Sequence, residues 1–279
     1  MIKNPVYRRE MMVSSRSIRM PLIIAGFNLI LATFALFGML ANVSSARVSA
    51  QINYSTFLLI FRYVACIEFI LVLFTVPALT AGSISGEREH RTLDLMLTTK
   101  LTPARIVIGK MMTSITTVCL LVISSLPILA LVFAYGGVTV LDILLLFAAY
   151  FVIAIFTASV GIWASSLSDR SAIATAAAYA VLILIIGGTL GACVLATNFV
   201  GNADGWVYLL PANPVVTFYG LICNMTGDAG ALGDIIRYFN ATLPGVTPLR
   251  WFILGSAIQL LLSVVLIGLA IRHTGVHKK

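Results

Sequence analysis

The sequence predicts an all-α membrane protein with six transmembrane helices. Hydrophobic residues make up 60% of the 279-residue chain and charged residues only 10%, and the mean hydropathy is +1.04. A soluble domain has roughly 45–50% apolar and about 25% charged residues, so this composition excludes a water-soluble enzyme of this length. Helices are the expected spanning elements, because unpaired backbone polar groups are costly in lipid.

Six apolar segments are each long enough to cross the hydrocarbon core of a bilayer. A core of roughly 30 Å requires about 20 residues of helix. The sequence therefore predicts a transmembrane domain over residues 21–271, preceded by an N-terminal segment (1–20) and followed by a short tail (272–279). The six predicted spans are Pro21–Leu40, Phe57–Leu79, Ile106–Phe133, Val140–Trp163, Ala172–Thr197 and Trp251–Ile271.

The distribution of basic residues predicts how these spans are oriented. With the N-terminus in the cytoplasm, fourteen of the 18 Lys and Arg residues fall on the cytoplasmic side. Cytoplasmic loops are enriched in basic residues, so both termini are expected in the cytoplasm. The protein itself is expected in the cell membrane of a bacterium. The same rule accounts for the net charge of +8 without a nucleic-acid partner. The four remaining basic residues, which are expected on the outer side or at the outer ends of spans, are Arg47, Arg62, Arg237 and Arg250.

The N-terminal segment combines apolar and basic residues after Pro5. This mixture is typical of a helix that lies on the membrane surface, with its apolar side in the lipid and its basic side in water. A solvated basic tail is the alternative. We favour the interfacial helix for residues 1–20.

The segment at residues 198–250 contains an apolar stretch that is interrupted by Pro211, Asn213 and Pro214. If this stretch crossed the membrane completely, the basic C-terminal tail would lie outside, against the charge rule. An extracytoplasmic or re-entrant hairpin before the sixth span avoids that conflict. Irregular backbone of this kind is tolerated at membrane depth when protein surrounds it.

The loop between the second and third spans, residues 82–105, is dense in charge. Glu87 and Glu89 come early in the loop, where acidic side chains favour the start of a helix. Leu93, Met96 and Leu97 follow at the spacing of one helical face. The pattern predicts a short amphipathic helix parallel to the membrane, held either by lipid contact alone or by docking to a cytosolic partner.

The same loop resembles a known family signature. Its order is Glu87-Arg88-Glu89, Thr92-Leu93, Leu95-Met96-Leu97-Thr98 and Ile106-Val107-Ile108-Gly109-Lys110. This is similar to the loop between spans two and three in the permease subunits of the type-2 ATP-binding-cassette (ABC-2) exporter family. Six spans, cytoplasmic termini and a broken segment before the last span also resemble that family.

The resemblance implies a permease that forms the translocation path and is driven by a separate ATPase. In such exporters the loop is a coupling helix that sits in a cleft of the ATPase, and two permeases, identical or homologous, work with two ATPase subunits that bind ATP and Mg. The only Gly-Lys pair here, Gly109-Lys110, lacks the flanking residues of a phosphate-binding loop. The matching coupling candidates are Glu87, Arg88, Glu89, Thr92, Leu93 and Met96.

Polar and small residues within the spans are the other candidates. Glu68 lies near the middle of the second span, where a carboxylate is costly and is a candidate for function. Glu68 and Asn28 are assigned to a translocation path, or else they hold helices together. Gly187 and Gly191 form a small-x-x-x-small pair that permits a close helix contact or a dimer face.

Two other functional classes remain open at this stage. An ion-gradient-driven secondary transporter would use Glu68 as its ion site. A membrane-embedded enzyme would need a nucleophile with its base, or metal ligands, at membrane depth. No zincin-type H-E-x-x-H or hydrolase-type G-x-S-x-G pattern occurs in the sequence, so no metal site is predicted.

Overall fold

The computed structural model describes residues 4–49, 54–92, 102–134, 139–201, 203–240 and 247–276, and these form helices and their connections. A 3-10 helix spans Val207–Ala212. The α-helices are α1 (Pro5–Ser15), α2 (Arg19–Ser49), α3 (Tyr54–Ala81), α4 (Ser85–Glu89), α5 (Pro103–Ala134), α6 (Val140–Leu167), α7 (Ser171–Val200), α8 (Pro214–Met225), α9 (Ala229–Tyr238) and α10 (Pro248–Val276).

Six of these helices, namely α2, α3, α5, α6, α7 and α10, are long and apolar enough to cross a membrane. This confirms the number predicted from the apolar segments. Each helix is longer than its predicted span, because polar ends continue the backbone hydrogen bonding past the apolar region. The start of α6 coincides with its predicted span, and there the Thr139 side chain and Asp142 form a reciprocal capping box, which satisfies N–H groups that a helix end leaves unpaired.

Helix α6 is at the centre of the fold. It packs against α3, α5, α7 and α10, and 56% of its most apolar window is buried, compared with 17% for α2. Phe61 of α3, Leu121 of α5 and Tyr150 of α6 are completely or almost completely buried in the same cluster. The central position of α6 therefore connects the other spans into one bundle.

The segment between α7 and α10, which we call the outer segment after its predicted location, folds as the 3-10 helix followed by α8 and α9. Asn213 accepts a hydrogen bond from the Val215 N–H at 2.9 Å and caps α8, whose first residue is Pro214. The predicted interruption is thus a helix start. The ring of Phe218 stacks on Phe69 of α3 with centroids 4.3 Å apart. With 12 residues, α8 is about 18 Å long, which is too short to cross roughly 30 Å of hydrocarbon.

The contact between α10 and this outer segment depends on Gly255. A Cβ at this position would be 2.9 Å from the Pro211 carbonyl oxygen and would overlap the Thr217 side chain. Gly255→Ala is therefore expected to destabilise the protein by about 1–3 kcal/mol through overpacking, measured as thermal unfolding in detergent. Gly268→Ala in the same helix is the control, because a Cβ added there would meet no atom within 4 Å. Equal stability of the two variants would contradict the contact.

Candidate functional site

The start of the loop between the second and third spans is the short helix α4. Its first N–H groups are held by the buried Ser165 side chain of α6. The Ser165 Oγ accepts hydrogen bonds from the backbone N–H groups of Ile84 and Ser85, both at 2.9 Å. After α4, Arg91 adopts a left-handed conformation with φ of 55°, and this ends the helical path.

The extent of α4 differs from the predicted amphipathic helix. Glu87 and Glu89 belong to a helix that ends at Glu89, so they do not form the first turn of a helix that continues through Leu93. The Thr92 N–H donates to the Glu87 carbonyl at 2.8 Å and closes this turn. Leu93 and Met96 lie outside the described residues.

Glu87 belongs to a charge cluster that connects three helices. Lys110 of α5 is 4% exposed, and its Nζ lies 2.7 Å from Oε1 of Glu10 in α1 and 3.5 Å from Oε1 of Glu87. The Thr92 hydroxyl donates to the other carboxylate oxygen of Glu87. A buried ammonium is stable only when it is paired, so Lys110 holds α1 and α4 against α5.

Arg88 and Glu89 connect α4 to the turn between α6 and α7. The Arg88 guanidinium lies 3.4 Å from Oδ1 of Asp169. Glu89 Oε2 accepts hydrogen bonds from the Ser171 N–H at 3.1 Å and from the Ser171 hydroxyl at 2.8 Å. Ser171 is the first residue of α7, so the Glu89 carboxylate satisfies an unpaired N–H and lies at the positive end of the helix dipole.

Together these contacts form what we call the α4 junction, in which α4 is connected to several other parts of the chain. The sequence singled out Glu87, Arg88, Glu89 and Thr92, and the family signature includes Lys110, but the sequence did not pair these residues with their distant partners. Each partner is separated from the residue that it contacts by 23 residues or more in sequence, and its residue type carries no local signal of the contact. The partners are Glu10, Lys110, Ser165, Asp169 and Ser171.

Glu68 is completely buried between α3, α5 and α6. The Ser125 hydroxyl donates to its Oε1 at 2.5 Å, and Oε2 has no hydrogen-bond partner among the described residues. Tyr150 donates to the Ala65 carbonyl at 2.9 Å one turn away. The burial and the Ser125 contact are consistent with a residue that holds helices together, and the assignment of Glu68 to a translocation path stays a prediction.

Asn28 also connects two helices. Its Nδ2 donates to the Ser124 hydroxyl of α5 at 2.8 Å and to the Ile24 carbonyl at 2.9 Å. Ser124 and Ser125 are adjacent in α5. Ser124 bonds to Asn28 of α2, and Ser125 bonds to Glu68 of α3. The structure therefore brings the two predicted path residues to neighbouring positions of α5.

Gly187 and Gly191 lie on an uncovered side of α7. A Cβ at either position would meet no atom within 4 Å, so the described part of the chain does not use them for a close helix contact. Small residues on a free helix face allow another helix to approach closely in a membrane. The pair is thus available to a second subunit or to lipid.

Comparison with known proteins gives one family. A family model described as an ABC-2 family transporter protein matches residues 23–272, which is most of the chain. No curated protein matches the chain. The matched region contains the six candidate spans, α4 and the outer segment almost entirely, and leaves out α1.

Proposed function

Because the chain belongs to the ABC-2 transporter family, we propose that it is the permease of an ATP-driven exporter that couples to a separate ATPase through residues 82–105. The chain is accordingly a membrane-embedded transport component and not itself the catalyst. Beyond family membership, we propose the coupling to an ATPase, the outward direction of transport and the partner subunits.

The α4 junction is the observation that carries this proposal. Through Glu87 the loop contacts Lys110 of α5, which in turn pairs with Glu10 of α1. Through Ser165 the loop contacts α6, and through Glu89 it contacts α7. A displacement of the loop would therefore be transmitted to three candidate spans at once. Rigid elements connected by packed contacts transmit motion in proteins. The contacts to α5 and α6 involve the buried Lys110 and Ser165, whereas the contact of Glu89 with Ser171 is exposed.

We assign different roles to the two halves of the loop. Glu87, Arg88, Glu89 and Thr92 position the loop, because their side chains are engaged within the chain. Leu93 and Met96 then enter an apolar cleft of the ATPase as the anchors of the interface. Central apolar side chains of this kind carry most of the binding free energy at protein interfaces.

The proposed assembly contains two permeases, identical or homologous, and two ATPase subunits that bind ATP and Mg. The uncovered face of α7 with Gly187 and Gly191 is the proposed helix contact between the permeases. The complex lies in the cell membrane of a bacterium with both permease termini in the cytoplasm, as the basic residues favour.

We also propose where α1 and residues 198–250 lie relative to the membrane. Helix α1 lies in the cytoplasmic interface, supported by its packing on α5 through the Asn4 Nδ2 to Arg105 carbonyl hydrogen bond at 2.8 Å. Residues 198–250 form a re-entrant hairpin on the outer side, supported by the short length of α8 and the stacking of Phe218 on Phe69.

Affinity purification of the tagged full-length chain in mild detergent tests this function. Mass spectrometry is expected to identify a soluble P-loop ATPase in roughly stoichiometric amount, and vesicles containing both chains are expected to transport only with ATP. Purification without any ATPase, together with transport driven by an ion gradient alone, would contradict the proposal and favour the secondary transporter.

Glu68→Gln separates the exporter from the alternatives that use Glu68. The amide oxygen can still accept the hydrogen bond from Ser125, so we expect ATP-dependent transport and thermal stability to stay within about twofold and about 1 kcal/mol of the unsubstituted protein. The measurement is transport in vesicles beside a melting curve. A stable variant without transport would instead assign the Glu68 charge to the transport step.

A further inference from the structure

A cavity of about 420 Å³ lies where α1 meets the start of α2 and the loop end of α3. Its volume is within the range of ligand pockets, about 300–1,000 Å³. Met20, which lines the cavity, is also the first residue of the first candidate span. The cavity is therefore located at the level where the apolar part of the bundle begins.

One side of the cavity is polar and carries charges of both signs. Arg9, Glu10, Ser14 and Glu87 line it. Arg9 forms no salt bridge among the described residues, and although its charge acts on Glu87, its exposed guanidinium can bind an anionic group. Lys110 contacts Oε1 of Glu10, which leaves Oε2 of Glu10 able to accept a hydrogen bond from a ligand.

Among the charged side chains that line the cavity or pair with its lining, the two signs are balanced. Glu10 and Glu87 are both carboxylates, and Arg9 and Lys110 are the two cations beside them. A ligand with no net charge but separated positive and negative groups matches such a site better than a simple anion, because each of its groups finds the opposite charge.

The other side of the cavity is apolar. Met20 and Ile23 of α2 and Leu79 of α3 line it. Leu22, next to them in sequence, is 68% exposed at the periphery of the bundle. Apolar surface at the start of a span adjoins the hydrocarbon of the bilayer. A ligand with a polar head and acyl chains could thus fill both sides of the cavity at once.

We propose that this cavity binds one phosphatidylethanolamine molecule from the adjoining leaflet. Its phosphate lies on the Arg9 guanidinium, its ammonium group donates to Glu10 and the Ser14 hydroxyl, and its acyl chains follow Met20 and Ile23. The ammonium supplies the N–H donors that a choline headgroup lacks. The site includes Glu10 and Glu87 of the α4 junction, but lipid binding is measured on the chain without an ATPase, so either proposal can fail without the other.

Native mass spectrometry of the full-length chain tests this site, in micelles that contain equal amounts of phosphatidylethanolamine, phosphatidylglycerol and phosphatidylcholine. We expect a one-to-one phosphatidylethanolamine adduct that exceeds the other two by about tenfold. Arg9→Gln is expected to reduce it about tenfold, since a charge-assisted hydrogen bond contributes about 1.5–3 kcal/mol. Arg9→Lys, which keeps the charge, is expected to restore most of the adduct.

The control is Arg8→Gln, because Arg8 is an exposed cation of the same helix that does not line the cavity. It is expected to change the adduct by less than about twofold. An equal loss in both Gln variants would overturn the site in favour of general surface charge. Equal binding of phosphatidylglycerol would overturn the ammonium contact. Displacement by millimolar glycerophosphoethanolamine would overturn the need for acyl chains.

Discussion

Leu93→Asp is expected to remove the ATPase from the purified complex. The substitution replaces an apolar anchor by a charge that would have to be buried in the cleft, and loss of one such anchor costs about 2–4 kcal/mol. This corresponds to an affinity at least about 30-fold weaker. The measurement is the ratio of ATPase to permease after affinity purification, together with ATP-dependent transport.

Leu167→Asp is the matched control for this prediction. Leu167 is 47% exposed at the end of α6, on the same end of the bundle as α4, and it precedes the exposed Asp169 by two positions. We expect this variant to retain the ATPase. Retention of the ATPase by both variants would show that Leu93 is not an anchor, whereas loss in both would indicate that any added charge at this end is disruptive.

Lys110→Met is expected to give the largest loss of stability among single substitutions of the α4 junction. It removes the cation and leaves Glu10 and Glu87 facing each other without a cation between them. Removal of one member of a fully buried pair costs about 3–5 kcal/mol. The two carboxylates are 28% and 24% exposed, so we expect roughly 2 kcal/mol here, measured by thermal unfolding in detergent at pH 7.

Two further variants decide whether charge is the cause. The triple variant with Lys110→Met, Glu10→Gln and Glu87→Gln removes all three charges and is expected to recover most of the lost stability. Arg105→Met replaces an exposed cation near the start of the same helix and should melt like the unsubstituted protein. A triple variant as unstable as Lys110→Met alone would contradict the electrostatic account and indicate lost packing.

The six spans were predictable because their signal is local. An apolar segment of about 20 residues has few alternatives to a membrane helix, and each predicted span lies within one helix of the structure. The break at Pro211–Pro214 was equally readable, since proline at the first position of a helix marks its start. Asn213 caps α8 there.

The α4 junction was not predictable, because its contacts are tertiary. Glu10 and Lys110 are 100 residues apart, and although a lysine inside a predicted span is unusual, nothing near it in the sequence identifies its partner. Glu89 illustrates the same point. Its position suggested the first turn of a helix that carries Leu93, but its carboxylate caps the start of α7 through Ser171. Sequence alone cannot distinguish an acid that caps its own helix from one that caps a neighbour.

Cysteine labelling of the loop tests the central claim most directly. Arg91→Cys, in a chain whose four native cysteines are replaced, introduces a thiol at an exposed position next to α4. Tyr238→Cys, at a side chain that is 76% exposed in the outer segment, is the control of opposite sidedness. A membrane-impermeant maleimide is expected to label position 91 only in inside-out vesicles and position 238 only in intact cells. Labelling of position 91 from outside intact cells would contradict the cytoplasmic loop and the coupling derived from it.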